Sequence, residues 1–295
     1  MDNILHLKYI IGALFLNLTF IASYAQDDDG DYVSETFNGI RIINGQSTET
    51  LKQKEFRYII GHRFGDAAGE QGGVQTAFGF DDAADIRFGF DFGITDDILV
   101  GIARLKGNGT PYRSIIEGFA KYRFLQQKEG GMPISAALTL NGYGTYMPES
   151  EDITSVTNFT TFAHRMAYST QLTIASKLHD RVSVALLPTY VYRNLVRLDD
   201  VNGLFSLGAA ANIKVFKKLA LTAEYFQNFN PEGTREGFEN ALSLGMEWLT
   251  NGHIFSFHFT NARGMGDLQY IAYNNSNWLD GQFRFGFTIT RKFKF

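Results

Sequence analysis

From about residue 54 onward the chain alternates apolar and polar residues with a period of two. Successive side chains of a strand point to opposite faces, so this pattern demands strands with two different environments and argues against helix. In ADIRFGFDFGI, residues 84–94, Ile86, Phe88, Phe90, Phe92 and Ile94 share one face, with Asp85, Arg87, Gly89, Asp91 and Gly93 on the other. HIFSFHFT sets Phe255, Phe257 and Phe259 against Ser256, His258 and Thr260, and FRFGFTITRKFKF repeats the pattern over 283–295. About twelve such segments are predicted, at 54–64, 84–94, 97–106, 112–125, 132–146, 162–178, 181–194, 203–216, 218–229, 240–250, 253–261 and 281–295. Soluble strands average about 5–6 residues and tilted membrane strands need about 9–11, and most of these segments are at least that long.

The connections alternate too. Short turns at 95–97, 126–131, 179–180, 216–218 and 251–252 interleave with longer loops at 65–83, 107–111, 147–161, 195–202, 230–239 and 262–280. Short turns on one side and long loops on the other are the pattern of an outer-membrane barrel. The predicted fold is therefore all-β: an antiparallel up-and-down transmembrane β-barrel of about twelve strands, with a lipid-facing and a lumen-facing surface. The 27 Phe and 14 Tyr residues need a cover other than water, and lipid supplies one. Aromatics near predicted strand ends suit the two membrane interfaces: Phe56, Tyr122, Phe124, Trp248, Phe255 and Phe295 on the periplasmic side, Tyr146, Phe162, Tyr190, Tyr192 and Phe229 on the other. Phe287, Phe293 and Phe295 resemble the C-terminal strand signal that the barrel-assembly machinery reads during insertion. Two stretches resist this reading. ILVGIARLK, 98–106, is apolar on both faces, and Arg291 falls on the lipid face, by snorkelling to the interface or through a bulge.

Residues 1–25 read as a secretory signal: Lys8, an apolar run, then Ser23-Tyr24-Ala25 as the cleavage site. About 270 residues follow it, the size of one barrel domain at 54–295. Residues 26–53 form a periplasmic N-terminal segment. Its QDDDGDYVSETFNG start is a solvated tail rather than a calcium loop, because no twelve-residue loop with a terminal Glu follows. IRIINGQSTETL, 40–51, is either a short extra strand or a plug in the periplasmic mouth. The chain has no cysteine, which excludes disulfides and thiolate metal sites. The slightly acidic net charge of −4 gives no reason to expect nucleic acid.

TFNGIRIINGQSTET (36–50), EFRYIIGHRFG (55–65) and DIRFGFDFGITDDILVGIAR (85–104) resemble a family of Gram-negative outer-membrane β-barrel proteins known as a domain of unknown function. The family's Thr-Arg-Leu-Ile-Asn-like piece falls on Ile40 to Asn44, with Ile40 in place of Thr. Its His-Arg-Phe-Gly falls on His62 to Gly65, and its Thr-Asp on Thr95-Asp96. The resemblance implies a barrel in the outer membrane, and brings no activity, cofactor or catalytic residues.

On the predicted register the lumen face carries Arg57, Arg63, Arg87, Arg113, Lys121, Arg123, Arg165, Lys177, Arg181, Arg193, Lys214 and Arg284. Opposing them are Glu55, Asp85, Asp91, Glu117, Glu224 and Glu247. Charge lining a pore biases which ions pass, so a porin-like channel for small solutes with a weak anion preference is one reading. The alternative is a closed structural or docking barrel in which these charges pair across the lumen. Glu224, Glu247 and His258, on three consecutive strands, form the sharpest local group. They suit a metal ion or proton relay less well than structural pairing with Lys214 or the arginines. No metal or other cofactor is expected. An outer-membrane lipase or protease would need a Ser–His or Asp–His pair near the outer rim, and none is evident, so no enzyme is expected.

Overall fold

The computed structural model describes residues 31–294 apart from 83, 84, 108, 232 and 233. The predicted signal segment and Phe295 lie outside the described residues. Twelve antiparallel strands close on themselves, each bonded to its sequence neighbours and the first to the last. They are β1 (Glu55–Arg63), β2 (Asp85–Gly93), β3 (Ile98–Lys106), β4 (Ser114–Leu125), β5 (Ser135–Thr145), β6 (Met166–His179), β7 (Val182–Arg193), β8 (Gly203–Phe216), β9 (Leu219–Phe229), β10 (Ala241–Leu249), β11 (His253–Thr260) and β12 (Arg284–Lys294). The seam pairs Glu55 with Lys294 through Arg63 with Gly286, without a register shift. Closure leaves no unpaired edge, which a sheet in hydrocarbon requires. Alternation then sorts the side chains: Phe88, Leu140, Tyr168, Tyr190, Phe205 and Trp248 are exposed outward, while Arg57, Arg87, Glu117, Gln171 and Glu224 are buried inward.

The two difficult stretches resolve. In β3, Leu99, Ala103 and Leu105 are buried, and Ile98 and Ile102 are exposed. The strand is apolar on both faces because lipid lies outside and a packed core inside. Leu99 joins Ile40, Leu51 and Phe119, while Ala103 and Leu105 join a cluster with Ile42, Tyr143, Met265 and Leu268. Arg291 stays on the outer face with no bulge in either ladder, its guanidinium 4.8 Å from the Phe293 ring centre.

Three bulges fall at periplasmic strand ends, at Arg123/Leu125, Lys177/His179 and Lys214/Phe216. A bulge re-aims the side chain beside it. Lys177 donates to Ser34 O (3.2 Å), Lys214 pairs with Glu35 (3.5 Å), and Arg123 pairs with Asp97 on the rim (2.7 Å). Two of these cations therefore hold the N-terminal segment where it passes into the barrel.

One inward position tests the tight fit of wall against wall. A Cβ on Gly101 would meet the Phe119 ring at 2.3 Å and Asp91 Oδ1 at 2.5 Å. Gly101→Val is expected to cost about 1–3 kcal/mol through overpacking. The check is a lower temperature for the mobility shift between folded and unfolded protein on gels.

Candidate functional site: a doubly plugged lumen

Residues 36–51 run up into the barrel from the periplasmic end and turn back as a narrow hairpin. Ile42 N–H donates to Gly45 O (2.9 Å), Ser47 N–H to Ile40 O (2.9 Å), and Arg41 bridges to Gln46, leaving Ile43-Asn44 at the tip. The segment joins no strand of the wall and lies among its inward side chains.

Wall side chains fasten the hairpin. Lys121 Nζ donates to the carbonyls of Ile40 (2.9 Å), Ser47 (2.9 Å) and Glu49 (3.2 Å). The Glu224 carboxylate accepts three successive backbone N–H groups, from Ile43 (3.2 Å), Asn44 (2.9 Å) and Gly45 (3.1 Å). Gln171 Oε1 accepts from Gln46 N–H (2.7 Å), and Thr173 Oγ1 donates to Gln46 O (2.8 Å). Side-chain contacts are fewer: Arg41 on Glu117, Asn44 Nδ2 donating to Ser243 Oγ (2.9 Å), and Asn38 Nδ2 donating to Glu247 (2.7 Å).

From the opposite end, the loop after β11 folds inward and carries a short helix, α1 (Asp267–Ala272), with every residue buried. Its Asp267 accepts from Asn141 (3.0 Å), Ser169 (2.8 Å) and the Tyr270 hydroxyl (3.2 Å), and Gln269 Nε2 donates to Gly107 O (2.6 Å) and Tyr112 O (3.0 Å). Arg63 ties the two plugs together. It donates to Asn44 Oδ1 on the hairpin and to the carbonyls of Ala262 (3.0 Å) and Gly264 (2.6 Å) on the loop. Between hairpin and wall, a cavity lined by Arg41, Arg57, Arg87 and Glu247 amounts to about 30 Å³. That is room for a water or two and too little for a solute path.

The other predicted lumen residues divide. Arg57 pairs with Asp91, Arg87 with Glu117 and Arg284 with Asp66, all through short contacts inside the barrel. Asp85 pairs with Arg263 of the inward loop (3.1 Å). Arg193 and Arg235 share Asp200 beneath the outer loops, at 2.8 and 2.6 Å. Glu55, at the periplasmic rim, pairs with Lys292 (3.5 Å). Three expected lumen residues lie elsewhere. Arg113 is exposed ahead of β4, and Arg181 is exposed in the β6–β7 turn. Arg165 ends a 3-10 turn (Phe162–Arg165) in an outer loop, bonded to Met147 O (2.8 Å) and 4.2 Å from the Phe159 ring centre. The predicted alternation was carried past the true strand ends, where loop geometry takes over.

The Glu224–Glu247–His258 group also comes apart. Glu224 lies opposite Ser243, His258 opposite Gly245 and Glu247 opposite Ser256, three levels along β10. Each has its own partners: His258 Nε2 meets Arg63 Nε (3.3 Å), and Glu247 holds Asn38 and Asn212. Among the described residues no group of three His, Asp or Glu could hold a metal ion. Of the expected neutralisers, Lys214 pairs at the rim with Glu35 (3.5 Å), and among the arginines it is Arg63 that reaches the group, at His258.

The hairpin anchors Gln171, Thr173 and Ser243 and the loop residues Asp267 and Gln269 went unread in the sequence. A signal was present in the loop, since Met265, Leu268, Tyr270, Ile271 and Ala272 are too apolar for a segment facing water.

The family model described as a membrane-bound β-barrel domain (DUF5777) matches residues 37–293. The chain belongs to that family. The match begins at Phe37, so it takes in the hairpin as well as the wall. With its closed sheet and apolar outer surface, this is a β-barrel of the Gram-negative outer membrane. No curated protein matches the chain. Among solved structures the chain is similar to the KdgM porin, at 8% identity and TM-score 0.49, with 81% of this chain and 99% of that one covered. It is similar to the COG4313 outer membrane channel of Pseudomonas putida F1, at 11% identity and TM-score 0.47, covering 83% and 98%. It is also similar to the toluene transporter TodX of Pseudomonas putida, at 8% identity and TM-score 0.40, covering 92% and 100%. Likenesses at this level carry no inference about cargo.

Two predictions follow from the anchors. Lys121→Met leaves the Ser47 and Glu49 carbonyls without their donor, while Ile40 O keeps the Ser47 N–H, at a cost of about 1–3 kcal/mol. Amide exchange over 40–47 should then speed up by about tenfold to a hundredfold, while the barrel strands stay protected. At the outer rim, burial pushes the Asp200 carboxyl up, but hydrogen bonds and charge from Arg193 and Arg235 outweigh it and hold the carboxyl below the ordinary 3.8. A depressed carboxyl stabilises the fold above its unfolded value and loses that contribution as pH falls through its folded value. Proteolysis of the 194–202 and 230–240 loops should therefore be unchanged from neutral pH down to about 4 and accelerate only below it.

Proposed function

We propose that the protein is a gated outer-membrane pore for small solutes, held shut at rest by its own hairpin together with the inward loop that Arg63 ties to it, and weakly anion-selective when open. The observation that supports this is the way the hairpin is held. Its fastenings are side-chain hydrogen bonds from the wall, so it can withdraw without breaking one ladder bond of the barrel. Each neutral bond of this kind exchanges for water at a net cost of about 1 kcal/mol, and each bond to Lys121 or Glu224 at about 1.5–3 kcal/mol, so weakening one charged anchor shifts the equilibrium strongly.

Withdrawal sets the charge of the open lumen. Lys121 would lose its hairpin carbonyls, Arg63 its Asn44 contact and Glu224 its amide donors. Arg57 stays with Asp91 and Arg87 with Glu117. The groups that lose a hairpin partner are two cations, Lys121 and Arg63, and two carboxylates, Glu224 and Glu247, so at most a slight preference for small anionic solutes remains. This bias is weaker than the sequence register implies, because the loops bring Asp66, Asp97 and Asp200 to Arg284, Arg123 and Arg193. The outer surface meets lipid, and the terminal strand is read by the barrel-assembly machinery during insertion.

A second reading is a permanently closed docking barrel. It is favoured by the inward loop, which fills the outer half of the lumen independently of the hairpin. In that case the rim segment near Ser34 and Glu35 is a handle for a periplasmic partner.

Asn44→Cys combined with Ser243→Cys separates the two readings. Asn44 Nδ2 and Ser243 Oγ are 2.9 Å apart, and the chain has no other cysteine. In planar bilayers the oxidised protein should be silent and the reduced protein should show steps, with a reversal potential on the chloride side. Silence after reduction, in folded and heat-resistant protein, would remove the gate and leave the docking barrel. Glu224→Gln in the otherwise native chain weakens a charged acceptor by about 2 kcal/mol and should raise the open probability about thirtyfold.

A further inference from the structure

We infer that the lumen site beneath the hairpin is a receptor for short peptides that make a tight turn, and that the hairpin occupies it as an internal competitor. This rests on the gated-pore reading and names the ligand class of that same site.

The chemistry of the contacts points to polypeptide backbone. Three successive N–H groups converge on the Glu224 carboxylate. Runs of N–H groups aimed at one anion are a property of turns in a peptide chain. Simple organic anions have no such run of donors; a sugar offers hydroxyl donors, but not the N–H and C=O of one residue that Gln171 and Thr173 take together. Gln171 and Thr173 then read both backbone groups of one residue, accepting from Gln46 N–H and donating to Gln46 O. Lys121 collects carbonyls from both arms of the hairpin, at Ile40 on one side and at Ser47 and Glu49 on the other. Only a chain that folds back on itself can offer all three.

The side chains of the occupant matter less. Gln46 is fully buried, yet neither Oε1 nor Nε2 of its own amide has a protein partner, and the buried Thr48 hydroxyl has none either. A wall shaped around those side chains would satisfy them, because an unmet buried polar group is costly. The wall instead satisfies the backbone and leaves these side chains unread. Ile42 supplies an apolar contact to the cluster containing Leu187 and Phe226, which any aliphatic residue at that place would reproduce. A peptide with the same turn and an Asn at its tip therefore meets the same backbone donors and acceptors, with its Asn on Ser243 and Arg63, whatever its flanking sequence. Its binding would hold the hairpin out, so ligand and opening are coupled.

The test uses the full-length chain. Hydrogen exchange of residues 40–47 is followed by mass spectrometry while a backbone-cyclised decapeptide is added. One peptide carries the native Ile-Ile-Asn-Gly turn, and a second keeps only Asn-Gly with Ser and Thr flanks. A ligand of the hairpin-out state at about ten times its Kd raises that state's population about tenfold. Both peptides should accelerate hairpin exchange by that factor with the barrel strands unchanged. If neither does so at millimolar concentration, the receptor inference fails. Acceleration by the native turn alone would also overturn it, since the wall would then be reading side chains. The gate stands or falls separately, on whether the reduced double-cysteine variant conducts.

Discussion

Backbone N–H and C=O groups have no water to bond in the hydrocarbon of a membrane, and the rest of this structure depends on that fact. Every strand must be paired on both sides, so β1 must meet β12, and the sheet becomes a closed wall with an inside and an outside. Once closed, alternation does the sorting. Outward positions are chosen by lipid and inward ones by whatever fills the lumen. The inside is unusually polar for a protein core, with Arg57, Arg63, Arg87, Glu117, Lys121, Glu224 and Glu247 all buried.

Buried charges are tolerable only with partners, and a rigid wall cannot move to supply them all. Here neighbours on the wall pair some of them, as Arg57 does with Asp91. For others, the partners arrive from outside the sheet. The hairpin brings carbonyls to Lys121 and amides to Glu224, and the inward loop brings Arg263 to Asp85. Arg63 takes acceptors from both plugs. The lumen is thus filled by pieces of the same chain whose polar backbone complements a charged wall. Most of the bonds that hold the plug run to its backbone, with Arg41, Asn44 and Asn38 adding side-chain contacts to Glu117, Ser243 and Glu247.

Much of this was legible in the sequence, and the failures are instructive. ADIRFGFDFGI and HIFSFHFT gave strand and face directly, because a period of two has one structural meaning. β3 could not be registered by pattern, since Leu99 and Leu105 face a packed plug that a linear pattern does not record. Arg113, Arg165 and Arg181 were carried into the lumen by extending alternation past strand ends. A one- to four-residue difference in where a strand begins decides whether a side chain lines a pore or lies in a loop. Glu224, Glu247 and His258 shared a face, as expected, but the register between strands set them at three levels and dissolved the group.

By itself the sequence determined the strand number, the two-faced wall, the side on which the turns lie and the membrane it suits. All of these are local consequences of alternation and of the need to pair backbone groups in lipid. Only the tertiary structure decided that the lumen is closed. The hairpin lies 180 residues in sequence from Glu224 and 125 from Gln171, and the inward loop lies nearly 200 from Arg63. Contacts at that separation leave no period in the chain. They arise only when the barrel has closed and a charged interior selects the segments that can satisfy it.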